Sequence, residues 1–219
     1  MALPHVLHDP ISRLIELAAG TPSRVMIALA GYPGSGKSTA ANTLYGPAVE
    51  QALGPGSIQI LGMDGFHLSK AELAAMPDPE ETRKRRGAPW TFNPRALISS
   101  LRKIKQAESA VGWPGFDHGH GDPVDEQITV KRDTRLILVE GIYLLHRQDD
   151  WAGLEGIFDE SWFLDVDIET ALARACQRHQ DSWGISTEQA QARIDGNDRL
   201  NCAFINRDKA DWLIPYEID

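Results

Sequence analysis

Residues 31–38 read Gly-Tyr-Pro-Gly-Ser-Gly-Lys-Ser and fill every fixed position of G-x-x-x-x-G-K-[ST], a loop that cradles phosphate with its own backbone. Gly31, Gly34 and Gly36 remove side chains where amide N–H groups must turn inward around phosphate oxygens. The helix expected to start here adds the positive end of its dipole. Tyr32, Pro33, Ser35 and Thr39 complete the loop. Lys37 is long enough to reach the β- and γ-phosphates, and the Ser38 hydroxyl suits Mg²⁺. The expected ligand is a nucleoside triphosphate. The loop alone does not say which reaction it serves.

Other residues narrow the chemistry. Met63-Asp64-Gly65-Phe66-His67 comes after a short apolar run, so Asp64 should project from a strand's carboxyl end. A carboxylate there can take the proton of an attacking hydroxyl or help to hold Mg²⁺, although Asp-Gly also suits a plain turn. His67 is read as a substrate contact or an ordinary loop residue, since histidine serves both uses. Glu140 comes directly after Leu136–Val139 and is the second acidic residue expected at the metal. Asp165 and Asp167 compete for that role but are read as structural, with Asp167 a natural helix N-cap. Arg174 and Arg178 share one helix face, and Arg178 foremost could offset charge on a transferring phosphate. In the run Arg83-Lys84-Arg85-Arg86, Arg86 is read as a substrate contact, with Trp90 and Phe92 as aromatic walls, and the other three cations as solvent-facing. Phe116-Asp117-His118-Gly119-His120-Gly121-Asp122 admits three readings: a metal cluster, a substrate-hydroxyl loop using Asp117 and His118, or a surface turn.

These residues need a scaffold that gathers them. Val25–Ala30, Ile58–Gly62, Leu136–Val139, Trp162–Val166 and Trp212–Ile214 read as strands. Helices are expected after Asp9-Pro10, from Ser38 to Tyr45, after Asn93-Pro94, over Ile168–His179, and after the Ser186-x-x-Gln189 capping box, the last carrying Ile194, Leu200 and Phe204. Residues 76–94 and 112–123 read as long irregular stretches. Strands alternating with helices imply a mostly parallel sheet covered on both faces, with ligands at the strands' carboxyl ends. At 219 residues, 42% hydrophobic and 24% charged, the chain fits one α/β domain over 1–219. A formal charge of −9 argues against nonspecific nucleic-acid binding. Cys176 and Cys202 form no C-x-x-C, as expected for a reducing cytoplasm. No apolar run spans a membrane, and no signal peptide is evident.

Gly-Tyr-Pro-Gly-Ser-Gly-Lys-Ser, Met63-Asp-Gly-Phe-His, Arg86-Gly-Ala-Pro-Trp-Thr-Phe-Asn, Pro114-Gly-Phe-Asp-His and Val139-Glu-Gly-Ile-Tyr together resemble the phosphoribulokinase/uridine kinase/bacterial pantothenate kinase family. The resemblance covers about residues 24–214 and is strongest to its fructose-transport-associated, pantothenate-kinase-like branch. It implies a P-loop NTPase fold, a three-layer α/β/α sandwich with a mostly parallel central sheet. A helical lid is expected at about 174–190, and substrate-side loops at about 64–93 and 112–123. It implies transfer of the γ-phosphate of ATP, with Mg²⁺, to a hydroxyl of a sugar, polyol or related metabolite. Lys37, Asp64 and Arg178 would be catalytic. Ser38, Glu140 and Asp64 would sit at the metal, and residues 31–39 with Arg174 and Arg178 at the nucleotide. Asp64, His67, Arg86, Trp90, Phe92, Asp117 and His118 would line the acceptor site. The stretch 86–93 differs from that of both uridine kinases and pantothenate kinases, which leaves the acceptor's identity open. A homodimer is compatible with the sequence. A nucleotide switch without an acceptor is the competing reading, although Asn206-Arg207-Asp208-Lys209 does not match the guanine-selecting Asn-Lys-x-Asp.

Overall fold

The computed structural model describes residues 5–21, 23–117 and 119–216. Among the described residues, eight strands and nine α-helices occur in chain order: β1 His5–Val6, α1 Pro10–Gly20, β2 Val25–Ala30, α2 Lys37–Thr39, α3 Gly46–Leu53, β3 Ile58–Gly62, α4 Lys70–Ala74, α5 Pro79–Lys84, α6 Pro94–Gln106, β4 Val111–Asp117, β5 Asp122–Val130, β6 Leu136–Glu140, β7 Glu160–Asp165, α7 Ile168–Trp183, α8 Thr187–Arg193, α9 Arg199–Cys202 and β8 Trp212–Pro215. Six strands form one sheet in the order β1-β8-β7-β2-β6-β3, every pair parallel. Helices cover both faces, giving the expected three-layer sandwich.

The central strands lack alternation because neither face meets water. Their period-2 geometry still sorts them. Met26, Ala28 and Ala30 of β2 join Ile137, Val139 and Phe163 in a core that α6 covers with Leu97, Leu101 and Ile104. Ile27 and Leu29 join Leu136, Leu138, Trp162 and Leu164 in a second core, closed by Leu14 of α1 and by Ala40, Tyr45 and Val49. The helix ends form where the sequence placed them. The carboxylate of Asp9 accepts from the Ser12 amide at 3.0 Å, Asn93 Oδ1 accepts from the Ala96 amide at 3.0 Å, and Ser186 and Gln189 make a reciprocal capping box.

Four expectations need correction. The helix after the phosphate loop is π-helical over Ala40–Tyr45 and continues past Tyr45 as α3; Pro47 is tolerated because it stands in the first turn of α3. Residues 76–94 are not irregular throughout, since Asp78 caps α5. Within residues 112–123, those of 112–117 and 122–123 lie in the antiparallel β4–β5 hairpin, whose register shifts between Trp113 and Gly115; Pro114 and the two glycines hid its strand signal. The helix after Ser186 is interrupted by a π-helical stretch, Ile194–Asp198, whose extra residue rotates α9 relative to α8. Leu200 therefore points outward, Phe204 lies beyond the last turn, and Asn197 and Asn201 are buried instead.

Candidate functional site

The parallel register brings three candidate segments to one sheet edge. Leu29 pairs with Glu140, and Glu140 with Gly62, so the phosphate loop, the 63–67 turn and the Glu140 carboxylate leave β2, β3 and β6 side by side. Gly34 (φ +79°) and Gly36 (φ +90°) adopt the left-handed conformation that frees the loop's amides to converge. A Cβ on Gly34 would overlap the Ala171 carbonyl oxygen and lie 2.8 Å from the Ala175 nitrogen, so the loop rests directly on α7. Lys37 is 7% exposed, and its Nζ donates to the carbonyls of Gly31 at 3.1 Å and Tyr32 at 3.0 Å. The Tyr32 ring packs edge-on against Phe163. Ser35 is fully buried and its Oγ has no partner among the described residues. A turn with inward amides, a buried cation and an unpaired hydroxyl fits phosphate oxygens.

Ser38 and Thr39 are exposed at the helix start, and Ser38 Oγ donates to Glu140 Oε1 at 3.0 Å. Burial pushes the Glu140 carboxyl above its usual range, against the pull of Lys37; burial likewise pulls the Lys37 ammonium down, against Glu140 and Asp64. Each charge is thus held where its own desolvation disfavours it, as at many functional sites. Asp64 and Arg178 lie near enough to act electrostatically on both groups. The all-oxygen pair of Ser38 and Glu140 suits a hard divalent cation such as Mg²⁺, which needs few protein ligands when phosphates supply others. Asp165 and Asp167 do other work. Asp165 forms a two-point pair with Arg207 at 2.7 and 2.6 Å, and Asp167 caps α7 through the Thr170 amide. Arg178 is exposed on α7, and Arg174, one turn earlier, is half-buried.

The other side of the site is built from side chains. The 63–67 turn is fixed from behind, since Trp113 Nε1 donates to the Gly62 carbonyl at 3.0 Å and a Cβ on Gly65 would overlap the Pro114 carbonyl. Asp64 stands out from this turn, its side chain 51% exposed and 3.9 Å from His67 Nδ1. The His67 ring contacts those of Phe92 and Phe116, with centroids at 3.9 and 4.9 Å. Arg86 contacts the same Phe116 ring, its Cζ 5.6 Å from the centroid. Phe92 belongs to the core, 4% exposed, and touches Tyr143 and Trp151; it backs His67 rather than lining an opening. Trp90 is outward-facing, beneath the Arg85 guanidinium. Asp117 accepts from the Gly119 and His120 amides at 2.8 and 3.0 Å and contacts His120 Nδ1 at 2.6 Å. Those bonds hold its carboxyl down at about 2. His118 lies outside the described residues. Among the described residues no group of three or more His, Cys, Asp or Glu is placed to cage a metal.

Sequence reasoning missed how the 85–87 segment is held. Arg85, expected in solvent, is partly buried and donates to Asn197 Oδ1 at 3.2 Å and Asn201 Oδ1 at 2.9 Å. Asn197 Nδ2 donates to the Arg86 carbonyl at 2.9 Å, and Tyr143 Oη to the Gly87 carbonyl at 2.6 Å. The π-helical stretch that exposes this pair of asparagines to Arg85 leaves no composition signal.

Comparison with known proteins gives three kinds of likeness. Residues 26–215 match the description "Phosphoribulokinase / Uridine kinase family". A Schizosaccharomyces pombe protein named "Putative uridine kinase C227.14" is 38% identical over 198 residues, 90% of this chain and 83% of that protein. The Aspergillus versicolor "ATP-dependent kinase-like protein notR'" is 38% identical over 160 residues, 70% of this chain and 93% of its own. A crystal structure from Silicibacter sp. TM1040, titled a "putative fructose transport system kinase", superposes with a TM-score of 0.79 at 32% identity, covering 92% of this chain and 98% of that one.

Proposed function

The chain belongs to the phosphoribulokinase/uridine kinase family, and from that premise we propose that it moves the γ-phosphate of ATP onto a hydroxyl of a sugar, polyol or related small metabolite. The observation that carries the proposal is the placement of Asp64. It is open to solvent on one side, acts electrostatically on Lys37 and Glu140 on the other, and borders an aromatic wall made by His67 and Phe116. A hydroxyl held against that wall lies between a base and the phosphate cradle.

The residues then divide the work. The loop amides and Lys37 bind the triphosphate, and Arg178 faces the same charge from α7. Asp64 orients the acceptor hydroxyl and takes its proton as the oxygen attacks. Ser38 and Glu140 would hold Mg²⁺, which when bound offsets phosphate charge. Little covalent work falls to the protein, so positioning and preorganised electrostatics supply most of the acceleration. One relative's name mentions uridine and one solved neighbour's name fructose transport; the two differ, so the acceptor must be sought in this chain's own site.

The test is ADP release from Mg-ATP across a panel of sugars, polyols, nucleosides and pantothenate. A subset should stimulate release. Asp64→Asn should then lower turnover ~10²–10⁴-fold, the range of general-base effects, while nucleotide affinity is kept. Full turnover in that variant removes Asp64 from its role. Release indifferent to every compound would favour an acceptor-independent switch.

A further inference from the structure

We infer that the acceptor is an anion, a hydroxyl-bearing carboxylate or phosphate ester, and that Arg86 and Lys70 hold its charge. The inference rests on the kinase reading above and narrows its substrate class.

The two cations converge on the tip of the β4–β5 hairpin. Gly121 has φ +70° and no side chain; a Cβ there would lie 3.6 Å from Lys70 Nζ and 3.7 Å from Arg86 Nη1. Both cationic heads therefore border the same small space. Among the described residues, Asp122 is the carboxylate paired with them. Asp122 Oδ1 is shared between the Lys70 amide at 2.8 Å and Arg86 Nη2 at 3.4 Å, the latter long for a charge-assisted bond. Asp117 is spent on the turn and on His120. The remaining acceptors are the Leu68 carbonyl, for Arg86 Nη2 at 3.1 Å, and the His120 carbonyl, for Lys70 Nζ. Arg86 Nε is buried with no acceptor among the described residues, an arrangement a native protein seldom leaves unexplained.

Chemistry then selects the ligand. Arginine and lysine offer only donors. A neutral polyol presents hydroxyls that must donate as well as accept, whereas a carboxylate or phosphoryl group presents acceptors only and gains the charge-assisted bond. The position is also right. Arg86 and His67 both lie against the Phe116 ring, and His67 in turn stands beside Asp64. The cation pair is thus linked to the base through one aromatic ring, and the inference is that a single small acceptor spans the two.

The experiment titrates matched pairs into the full chain held in saturating Mg-ADP, so that the phosphate loop is already filled. The pairs are D-glycerate with glycerol, gluconate with glucose, and ribose 5-phosphate with ribose, read by thermal shift and, with Mg-ATP instead, by ADP release. An anionic member should stabilise the protein and stimulate release while its neutral partner does not. The carboxylate and phosphate arms tell which group is used. Arg86→Met should weaken that response ~10-fold or more, with Mg-ADP binding retained; Lys70→Met, at an exposed position, should weaken it without any question of folding. Neutral members matching or exceeding the anions in the wild type would overturn the inference while leaving the kinase reading intact. So would an anion preference that survives both substitutions. Release unmoved by either member of any pair or by the wider panel fails the kinase reading itself, and the inference falls with it.

Discussion

The two halves of the site are made of different material. On the proposed nucleotide side, backbone would do the binding. Left-handed glycines aim amides inward, the loop rests on α7, and Lys37 is held by two carbonyls of the same loop. On the proposed acceptor side, side chains from three distant segments meet around one ring, with Asp64 and His67 from the first, Arg86 from the second and Phe116 from the hairpin. Backbone recognition demands one local conformation and therefore one local sequence. Side-chain recognition demands only that remote residues meet, and tolerates many solutions. A fold built this way keeps its phosphate chemistry fixed and varies its acceptor.

The comparison is broken most directly at Gly34. Gly34→Ala should lose more than ~10²-fold in nucleotide affinity, because a left-handed alanine costs about 1–2 kcal/mol and its methyl would also meet the backbone of Ala171 and Ala175, which cannot yield as a side chain can. Calorimetry with Mg-ADP checks it. Retained affinity would mean that the loop does not depend on backbone placement. The next effect is expected at Glu140. Glu140→Gln removes the carboxylate charge proposed for the metal site and should reduce Mg-dependent turnover ~10²-fold, the scale of one electrostatic stabiliser. Its pH signature is separate. Burial raises the folded pKa of Glu140 above the ordinary 4.5, so ionising it disfavours the folded state. That penalty is absent below pH 4.5 and grows as the pH rises through the raised value. The variant escapes it, and should gain stability relative to the wild type from pH 4 toward neutrality. A constant or shrinking difference in melting temperature sinks the claim.

Legibility in the sequence divided along the same line. Residues 31–38 are contiguous, so their spacing alone declares a phosphate cradle, and bare apolar runs such as Leu136–Val139 declare strands buried on both faces. The placement of Asp64 and Glu140 at the sheet's carboxyl edge was legible because each follows such a run. Arg85 was not, because its partners Asn197 and Asn201 lie more than a hundred residues away and face it only through a π-helical stretch that no periodicity announces. Phe92 was misjudged because an aromatic in a polar stretch reads equally as a wall or as core, and only packing against Tyr143 and Trp151 decides. The hairpin escaped because Pro114 and its neighbouring glycines interrupt the alternation by which strands are recognised.

Asn197 sharpens the comparison from the acceptor side. It is 3% exposed, donates to the Arg86 carbonyl and accepts from Arg85. Asn197→Ala removes the acceptor of Arg85 Nε and Asn201 Nδ2 and leaves the Arg86 carbonyl only its long bond from Arg193, and should cost about 1–3 kcal/mol, the penalty of unpaired buried polar atoms, read by chemical denaturation. Nucleotide affinity should stay within about twofold, because the phosphate loop takes none of its support from this contact. An equal loss on both sides would show the halves to be one unit.

The smallest effect is expected at Asp117, and it decides what that carboxylate is for. Its oxygens accept from the His120 and Gly119 amides and meet the His120 ring, which holds its pKa at about 2 rather than the ordinary 3.8. A depressed carboxylate contributes stability that is fully present above pH 3.8 and is lost as the pH falls toward 2. The amide resonances of Gly119 and His120 should therefore titrate with a midpoint near 2, and Asp117→Asn should abolish that titration while changing acceptor response less than Arg86→Met does. A midpoint near 3.8 would mean that the turn does not hold the carboxylate. An acceptor loss larger than that of Arg86→Met would move Asp117 from the hairpin's own bonding to direct contact with the substrate, and the acceptor wall would then extend to the hairpin tip.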